Sequence, residues 1–354
     1  MPRQPQPPPL DGALVIQKPR GRTSHDIVEM VRRIVGFRQI GHLGTLDPLA
    51  TGVLVLLLGR ATRLARFYAG RRKRYSCTIR FGYATDTYDA DGKALGPDQA
   101  PQLSRAVLEP LVAEFTGHLL QTPPAYSAKK IAGKPAHELA RKNRPVELKP
   151  VEVDVYEFRI DEVEGCRARC TIECGTGTYI RSLAHDLGAR QGTGAHLEEI
   201  ARLAVGEFTV DQAVTLEELQ AAASQPAAAG PAAGPGALTG AGLPAAAARA
   251  GGRVKGRLGD FVIPLERLLP ELPRATVLPI VEKRIRHGAK FTLPLAQIQP
   301  AQFTLPPGAT SQLDSGAPAP PRLRVFNQQQ KLIAIAEAVV PRTYQPILVF
   351  ESAP

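Results

Sequence analysis

Between residues 41 and 52 the chain reads Gly41-His42-Leu43-Gly44-Thr45-Leu46-Asp47-Pro48-Leu49-Ala50-Thr51-Gly52, a glycine-punctuated loop with a single carboxylate. A residue before proline is pushed out of the helical region toward extended backbone. Gly41, Gly44 and Gly52 admit conformations and close approaches denied to other residues. Asp47 is therefore expected on a constrained loop just ahead of the apolar run Val53 to Leu58, where a buried strand would present it as a reactive group. An ordinary Asp-Pro turn is the plain alternative. A Walker phosphate cradle is excluded, because the place of its closing Gly-Lys-Ser/Thr is held by Asp47-Pro48-Leu49. Asp86, Asp89, Asp91 and Gly92 hint at a calcium loop, but the spacing departs from the EF-hand and no glutamate closes it.

Cysteine offers little chemistry here. Cys166, Cys170 and Cys174 lie in a segment that alternates strictly, with Cys, Ala, Cys, Ile, Cys at even positions and Arg, Arg, Thr, Glu between them. That is the pattern of a half-buried strand with its cysteines toward the core. Cysteines four apart on a strand sit about 13 Å from each other. They cannot share one ion at Zn–S distances of about 2.3 Å.

Charge points to a partner. The net charge is +11. No acidic residue occurs between Pro48 and Thr85, where Arg60, Arg63, Arg66, Arg71, Arg72, Lys73, Arg74 and Arg80 all fall. A second basic stretch runs from Lys129 to Lys149, with Lys129, Lys130, Lys134, Arg141, Lys142 and Arg144 against Glu138 and Glu147. Two such clusters suggest a polyanion touched at several phosphates, with a solvated basic surface as the alternative. No run of eighteen apolar residues is present, so no membrane span is expected, and Met1 to Leu10 is too Pro- and Gln-rich for a secretory signal. It reads as a disordered lead-in, and the cytosol is the expected compartment.

The elements that position these residues can be read from periodicity. Leu14 to Gln17 reads as a short strand. Thr23 and Ser24 cap a helix carrying Ile27, Val28, Val31 and Ile34, closed by Gly36. Tyr75 to Tyr83 alternates as a strand, with Tyr75, Cys77, Ile79 and Phe81 on one face. Leu103 to Phe115 is helical in character. Val151 to Ile160 and Cys166 to Cys174 form an expected antiparallel pair, and Tyr179 to Gly188 a short helix with a glycine stop. Strands and helices mix without regular alternation, so the fold class is α+β. Residues 11–220 form an expected catalytic domain, with an insertion at 123–150. Residues 221–258 are an Ala/Gly/Pro-rich linker or insertion, and 259–272 return to the first domain. Residues 273–354 form a small module with a helix at Ile280 to His287 and a hairpin of Leu323 to Phe326 with Leu332 to Val340. A Pro/Gln/Gly-rich loop at 297–319 interrupts it.

The twelve-residue Asp47 loop resembles the signature loop of the TruB family of tRNA pseudouridine synthases. Lys18-Pro19 with Gly21-Arg22-Thr23-Ser24, Lys73-Arg74-Tyr75, the acidic turn Thr85 to Gly92, and Gly177 to Gly188 agree with further family motifs in order and spacing. The resemblance covers about Asp11 to Leu219. The C-terminal module more faintly resembles the PUA domain that bacterial members append.

This resemblance implies a pseudouridine synthase fold on a mixed, mainly antiparallel sheet. It implies conversion of uridine to pseudouridine at position 55 in the T-loop of tRNA, with no metal or organic cofactor. Asp47 would be the nucleophile, adding to the uracil ring or the ribose anomeric carbon. Arg181 would pair with it and aim it. Tyr75 would stack on the flipped base and Tyr179 lie close by. His42 would fill the space that the base leaves, and Lys18 would shape the pocket. Lys129, Lys130, Arg141 and Arg144 would belong to a basic flap that grips the T-arm. Without the resemblance, a surface arginine, two core tyrosines and a turn histidine are the plainer readings. The implied partner is tRNA alone, bound by a monomer. A guide-RNA-dependent synthase, which usually differs where this chain has Leu49-Ala50, and a tRNA-folding protein with secondary catalysis are the alternatives.

Overall fold

The structure is a computed structural model that describes residues 10–126, 130–131, 134–135, 148–224, 257–302 and 320–350. Expectations placed on the lead-in, on Lys129, Arg141, Arg144 and the Lys130 side chain, and on most of the two low-complexity stretches lie outside the described residues.

The N-terminal part begins with β1 (Gly12–Lys18), α1 (Ser24–Val35), β2 (Ile40–His42) and β3 (Thr51–Leu58). The 3-10 segment Gly59–Phe67 and β4 (Lys73–Phe81) come next, then α2 (Arg105–Ala113) and β5 (Gly117–Gln121). Two short strands, β6 (Lys130–Ile131) and β7 (Lys134–Pro135), pair with each other. They are followed by β8 (Val151–Glu164), β9 (Arg167–Cys174), α3 (Ile180–Gln191), β10 (Ala195–Val205), β11 (Phe208–Thr209) and α4 (Leu216–Ala223). Strand β12 (Val262–Pro264) then returns to the edge of the same sheet, whose main path is β12-β1-β3-β10-β4-β9-β8-β5. All its pairs are antiparallel except β3 with β10.

Alternation explains the layering. On β1 and β3, Leu14, Ile16, Leu54, Leu56 and Leu58 face α1, α3 and α4. Their neighbours Ala13, Val15, Val53, Val55 and Leu57 face the opposite side. Both faces are buried, so these strands read as continuous apolar runs. Helix α1 starts where expected: Thr23 and Asp26 form a reciprocal capping box, and Gly36 ends it in the left-handed region at φ 77°.

The C-terminal module contains β13 (Arg274–Thr276), α5 (Pro279–Arg286), β14 (Phe291–Thr292), β15 (Ile298–Gln299), β16 (Arg322–Phe326), β17 (Leu332–Val340) and β18 (Thr343–Val349). They make a six-stranded sheet ordered β14-β18-β17-β16-β13-β15 around its own small core. Phe326, Leu332, Ile335, Leu348 and Phe350 turn outward and join the second face of the large sheet, so the two sheets share a core.

Four sequence expectations change. The basic run 60–80 is largely consumed by the protein itself. Arg63 and Arg66 donate to the carbonyls of Val349 and Ile347 at 2.6 Å each, joining the module to the first domain, and Arg71 forms a buried pair with Glu271 in the segment that precedes the module. Arg60 pairs with Asp11, Arg72 with Glu173 and Arg80 with Asp98. Helix α3 runs through Gly188 and stops at Gly192. Gly188 is there because a Cβ would lie 2.1 Å from the backbone nitrogen of Ala195. Cys77, Cys170 and Cys174 are buried, but Cys166 is half-buried in the β8–β9 turn. The stretch expected as a loop from Gln297 begins with β15.

Candidate active site

The Asp47 loop is held at both ends and from beneath. At its entrance Leu43 donates to the Val55 carbonyl at 2.9 Å. In the middle, Ser24 on α1 closes a two-way clasp with Leu46: its hydroxyl donates to the Leu46 carbonyl at 3.2 Å and accepts from the Leu46 amide at 2.8 Å. At the exit Lys18, fully buried, donates to the carbonyls of Ala50 at 2.6 Å and Pro48 at 3.3 Å. Burial pushes the Lys18 ammonium down to about 8, with the Asp47 charge pulling the other way. Lys18 thus shapes the loop through its carbonyls. Leu46, Leu49 and Ala50 bury themselves around Asp47, whose own side chain stays 45% exposed. The carboxylate is presented from an apolar collar.

Arg181, second residue of α3, is the partner. Its side chain is only 6% exposed, and Nε donates to Asp47 Oδ2 at 2.8 Å. Nη1 donates to the Thr87 carbonyl and Nη2 to the Tyr126 carbonyl, both at 2.9 Å. Asp89 Oδ2 lies 3.5 Å from Nη1. Every edge of the planar fork is used, which leaves the guanidinium little freedom to turn. Asp89 is buried, and burial raises its pKa, while a hydrogen bond from Thr87 and the Arg181 charge act the opposite way.

Tyr75 opens the core-facing row of β4, in register with Arg202 of β10 and Ile172 of β9. Burial pushes its hydroxyl up to about 12, opposed by the adjacent Arg202 guanidinium. His42 sits half-buried at the end of β2, where burial lowers its pKa, as does the nearby Arg202 charge. Tyr179 is the N-cap residue of α3, and Gln121 at the end of β5 grips both its backbone groups, at 2.8 and 3.0 Å. The structure therefore gathers Asp47, Arg181, Lys18, Tyr75 and His42 around one loop. It sets Tyr179 at the helix start two residues before Arg181.

Two residues escaped the sequence reading as site members. Asp89 was visible only as part of an acidic turn. Arg202, on β10, carried no signal. Among the described residues, no group of three or more His, Cys, Asp and Glu side chains could hold a metal ion. The loop presents a half-exposed carboxylate aimed by a rigid guanidinium, with the largely buried Tyr75 close enough to feel its charge. That arrangement suits nucleophilic attack on, or within, a planar nucleotide.

A family model described as TruB family pseudouridylate synthase (N terminal domain) matches residues 32–180. A second, described as tRNA pseudouridylate synthase B C-terminal domain, matches residues 181–269. The chain belongs to the TruB family. A tRNA pseudouridine synthase B from Solibacter usitatus is 41% identical over 340 residues, covering 96% of this chain and all of that one. The Aquifex aeolicus protein of the same name is 46% identical over 214 residues, 59% of this chain and 73% of its own. Among solved structures, an H/ACA RNP bound to a substrate RNA containing 2'-deoxyuridine contains a chain with TM-score 0.64 at 20% identity. The match covers 97% of this chain and 85% of that one. At that identity the likeness carries the fold: a TruB-type pseudouridine synthase fold with a PUA-like β module behind it. Within the TruB frame, the Asp47 loop and Tyr75 fall in the first matched segment. The second begins at Arg181.

Proposed function

We propose that this chain isomerises uridine to pseudouridine at position 55 in the T-loop of tRNA, without a guide RNA and without a cofactor. The observation that carries the reading is Asp47 held by Arg181 at 2.8 Å on a loop whose neighbours are buried. The reaction breaks the bond from the ribose anomeric carbon to a ring nitrogen and makes one to a ring carbon. The ring carbon loses a proton and the nitrogen gains one, so atoms and electrons balance with no oxidant or reductant.

Asp47 is the nucleophile, adding to the uracil ring or to the anomeric carbon while the base is detached and turned. Arg181 aims it, and the backbone carbonyls of Thr87 and Tyr126 with Asp89 keep Arg181 aimed. A base inside a folded T-loop is out of reach, so it is flipped at a cost of a few kcal/mol. Tyr75 offers it a stacking face, Tyr179 lies beside it, and His42 fills the gap. Lys129, Lys130, Arg141 and Arg144 meet the T-arm backbone. The protein acts as a monomer in the cytoplasm.

The full-length likeness to a protein named tRNA pseudouridine synthase B favours tRNA over a guided substrate, as does Leu49-Ala50 after Asp47-Pro48. Incubating purified protein with transcribed tRNA, with no other RNA or protein present, tests this. A pseudouridine confined to the T-loop is the expected product. Activity only after adding guide RNA or a protein partner would overturn it.

A further inference from the structure

Arg202 is 1% exposed at the centre of the large sheet, and among the described residues no carboxylate lies within ion-pair distance of it. A buried charge is costly, and a buried guanidinium must at least find acceptors for its donors. Here the acceptors are backbone. Nε donates to the Val53 carbonyl at 2.8 Å and Nη2 to the Gly44 carbonyl at 3.1 Å. The backbone of the same residue meets the other end of the loop. Arg202 pairs in parallel with Gly52, and a Cβ on Gly52 would lie 2.3 Å from the Arg202 carbonyl oxygen. Gly44 and Gly52 bracket Asp47. Across β10 from this contact, Arg202 is in register with Tyr75, whose hydroxyl lies beside the guanidinium.

The loop is thus anchored from two sides. Lys18 and Ser24 tie it to β1 and α1. Arg202 ties it to β10 and, through β10, to the strand that carries Tyr75. The first set fixes the shape of the loop. Arg202 fixes where that shape stands relative to the aromatic face.

We propose that Arg202 is a positioning residue for the reaction, setting the distance and angle between the Asp47 loop and Tyr75 from inside the sheet. It touches no substrate and acts through those two residues. The proposal rests on the reading that Asp47 and Tyr75 work on the flipped uridine. Reactions that depend on alignment lose rate steeply when a group moves by about 1 Å, with factors near a hundred.

The test compares Arg202→Lys, Arg202→Met and Val205→Ala. Val205 is a buried packing residue on the same strand, facing the shared core. For each, three quantities are measured: single-turnover conversion at saturating tRNA, tRNA affinity, and amide exchange across the Leu43–Thr51 loop. Arg202→Lys keeps the charge but not the fork. It is expected to slow conversion at least about thirtyfold with affinity within about threefold. Its loop amides should exchange faster while those of β1 stay protected. Val205→Ala should lower the melting temperature with conversion and loop exchange near wild type. If Arg202→Met does not fold, Arg202→Lys decides alone. Near-normal conversion by Arg202→Lys, or losses in Val205→Ala that match it, would overturn the proposal. Wild-type protein inactive on tRNA would refute the proposed function instead. Loop exchange would then decide whether Arg202 holds the loop, and unchanged loop protection in Arg202→Lys would overturn that too.

Discussion

Replacing Arg181 with lysine tests the grip on Asp47 without removing charge. Arginine reaches Asp47, the Thr87 carbonyl and the Tyr126 carbonyl at once, with Asp89 at its flank. An ammonium on a shorter stem can satisfy one or two of these directions, so about two charge-assisted hydrogen bonds are lost. At about 1.5–3 kcal/mol each, the gross loss is about 3–6 kcal/mol. Asp47 is half open to water and the lysine can relax, so about half of this is expected to appear in the transition state. A loss of about 1.5–3 kcal/mol corresponds to roughly 10- to 150-fold in rate. The assay is single-turnover conversion with enzyme in excess, alongside a direct tRNA binding measurement. Affinity should stay within about threefold, because the partner groups are internal to the protein. Conversion within about threefold of wild type at saturation would refute the role of Arg181, and so would a loss that lies wholly in affinity.

Lys18 supplies a pH signature. Its folded value is about 8 against an ordinary 10.5, so between these the unfolded chain binds more protons and stability rises with pH. Relative to Lys18→Met, the wild type should gain up to about 1.4 kcal/mol per pH unit from pH 8 to 10 in denaturant titrations, and parallel curves would contradict this. Arg71→Met leaves Glu271 buried without its cation, which should cost about 3–5 kcal/mol of stability; less than about 1 kcal/mol would show that the buried pair contributes little. Changing Lys129, Lys130 and Arg144 to alanine should weaken tRNA binding and reduce its salt slope by roughly two, at about 0.7–0.9 per phosphate contact. Weaker binding with an unchanged slope would show that they act by packing or base contact.

Local signals were legible where backbone chemistry enforces them. Asp47 before Pro48, flanked by glycines that sit at φ 89° and 92° in the structure, announced a constrained loop. The Thr23–Gly36 helix announced both its ends. The alternation of Tyr75 to Phe81 announced a buried face, and β4 buries that face. Strand β10 was invisible, although it lies between β3 and β4. Two register shifts, between Leu197 and Glu199 and between Arg202 and Ala204, break its period of two, and its His, Glu and Arg residues blur it further. Arg202 was lost with it. The basic run showed its charge but not its acceptors, because the carbonyls that take Arg63 and Arg66 lie 286 and 281 residues further along the chain. Asp89 drew attention as a failed calcium ligand. Its place beside Arg181 depends on a bridge to Leu197 of the unseen β10.

Asp47 is proposed to convert a T-loop uridine in tRNA without help from other macromolecules. Base-resolution mapping of pseudouridine in transcribed tRNA, treated with wild type and with Asp47→Asn, tests it directly. The wild type should convert one T-loop uridine completely. Asp47→Asn should convert none, at tRNA affinity within about tenfold. Conversion by Asp47→Asn, once deamidation is excluded by mass, or a wild type that leaves every uridine unchanged, would contradict it.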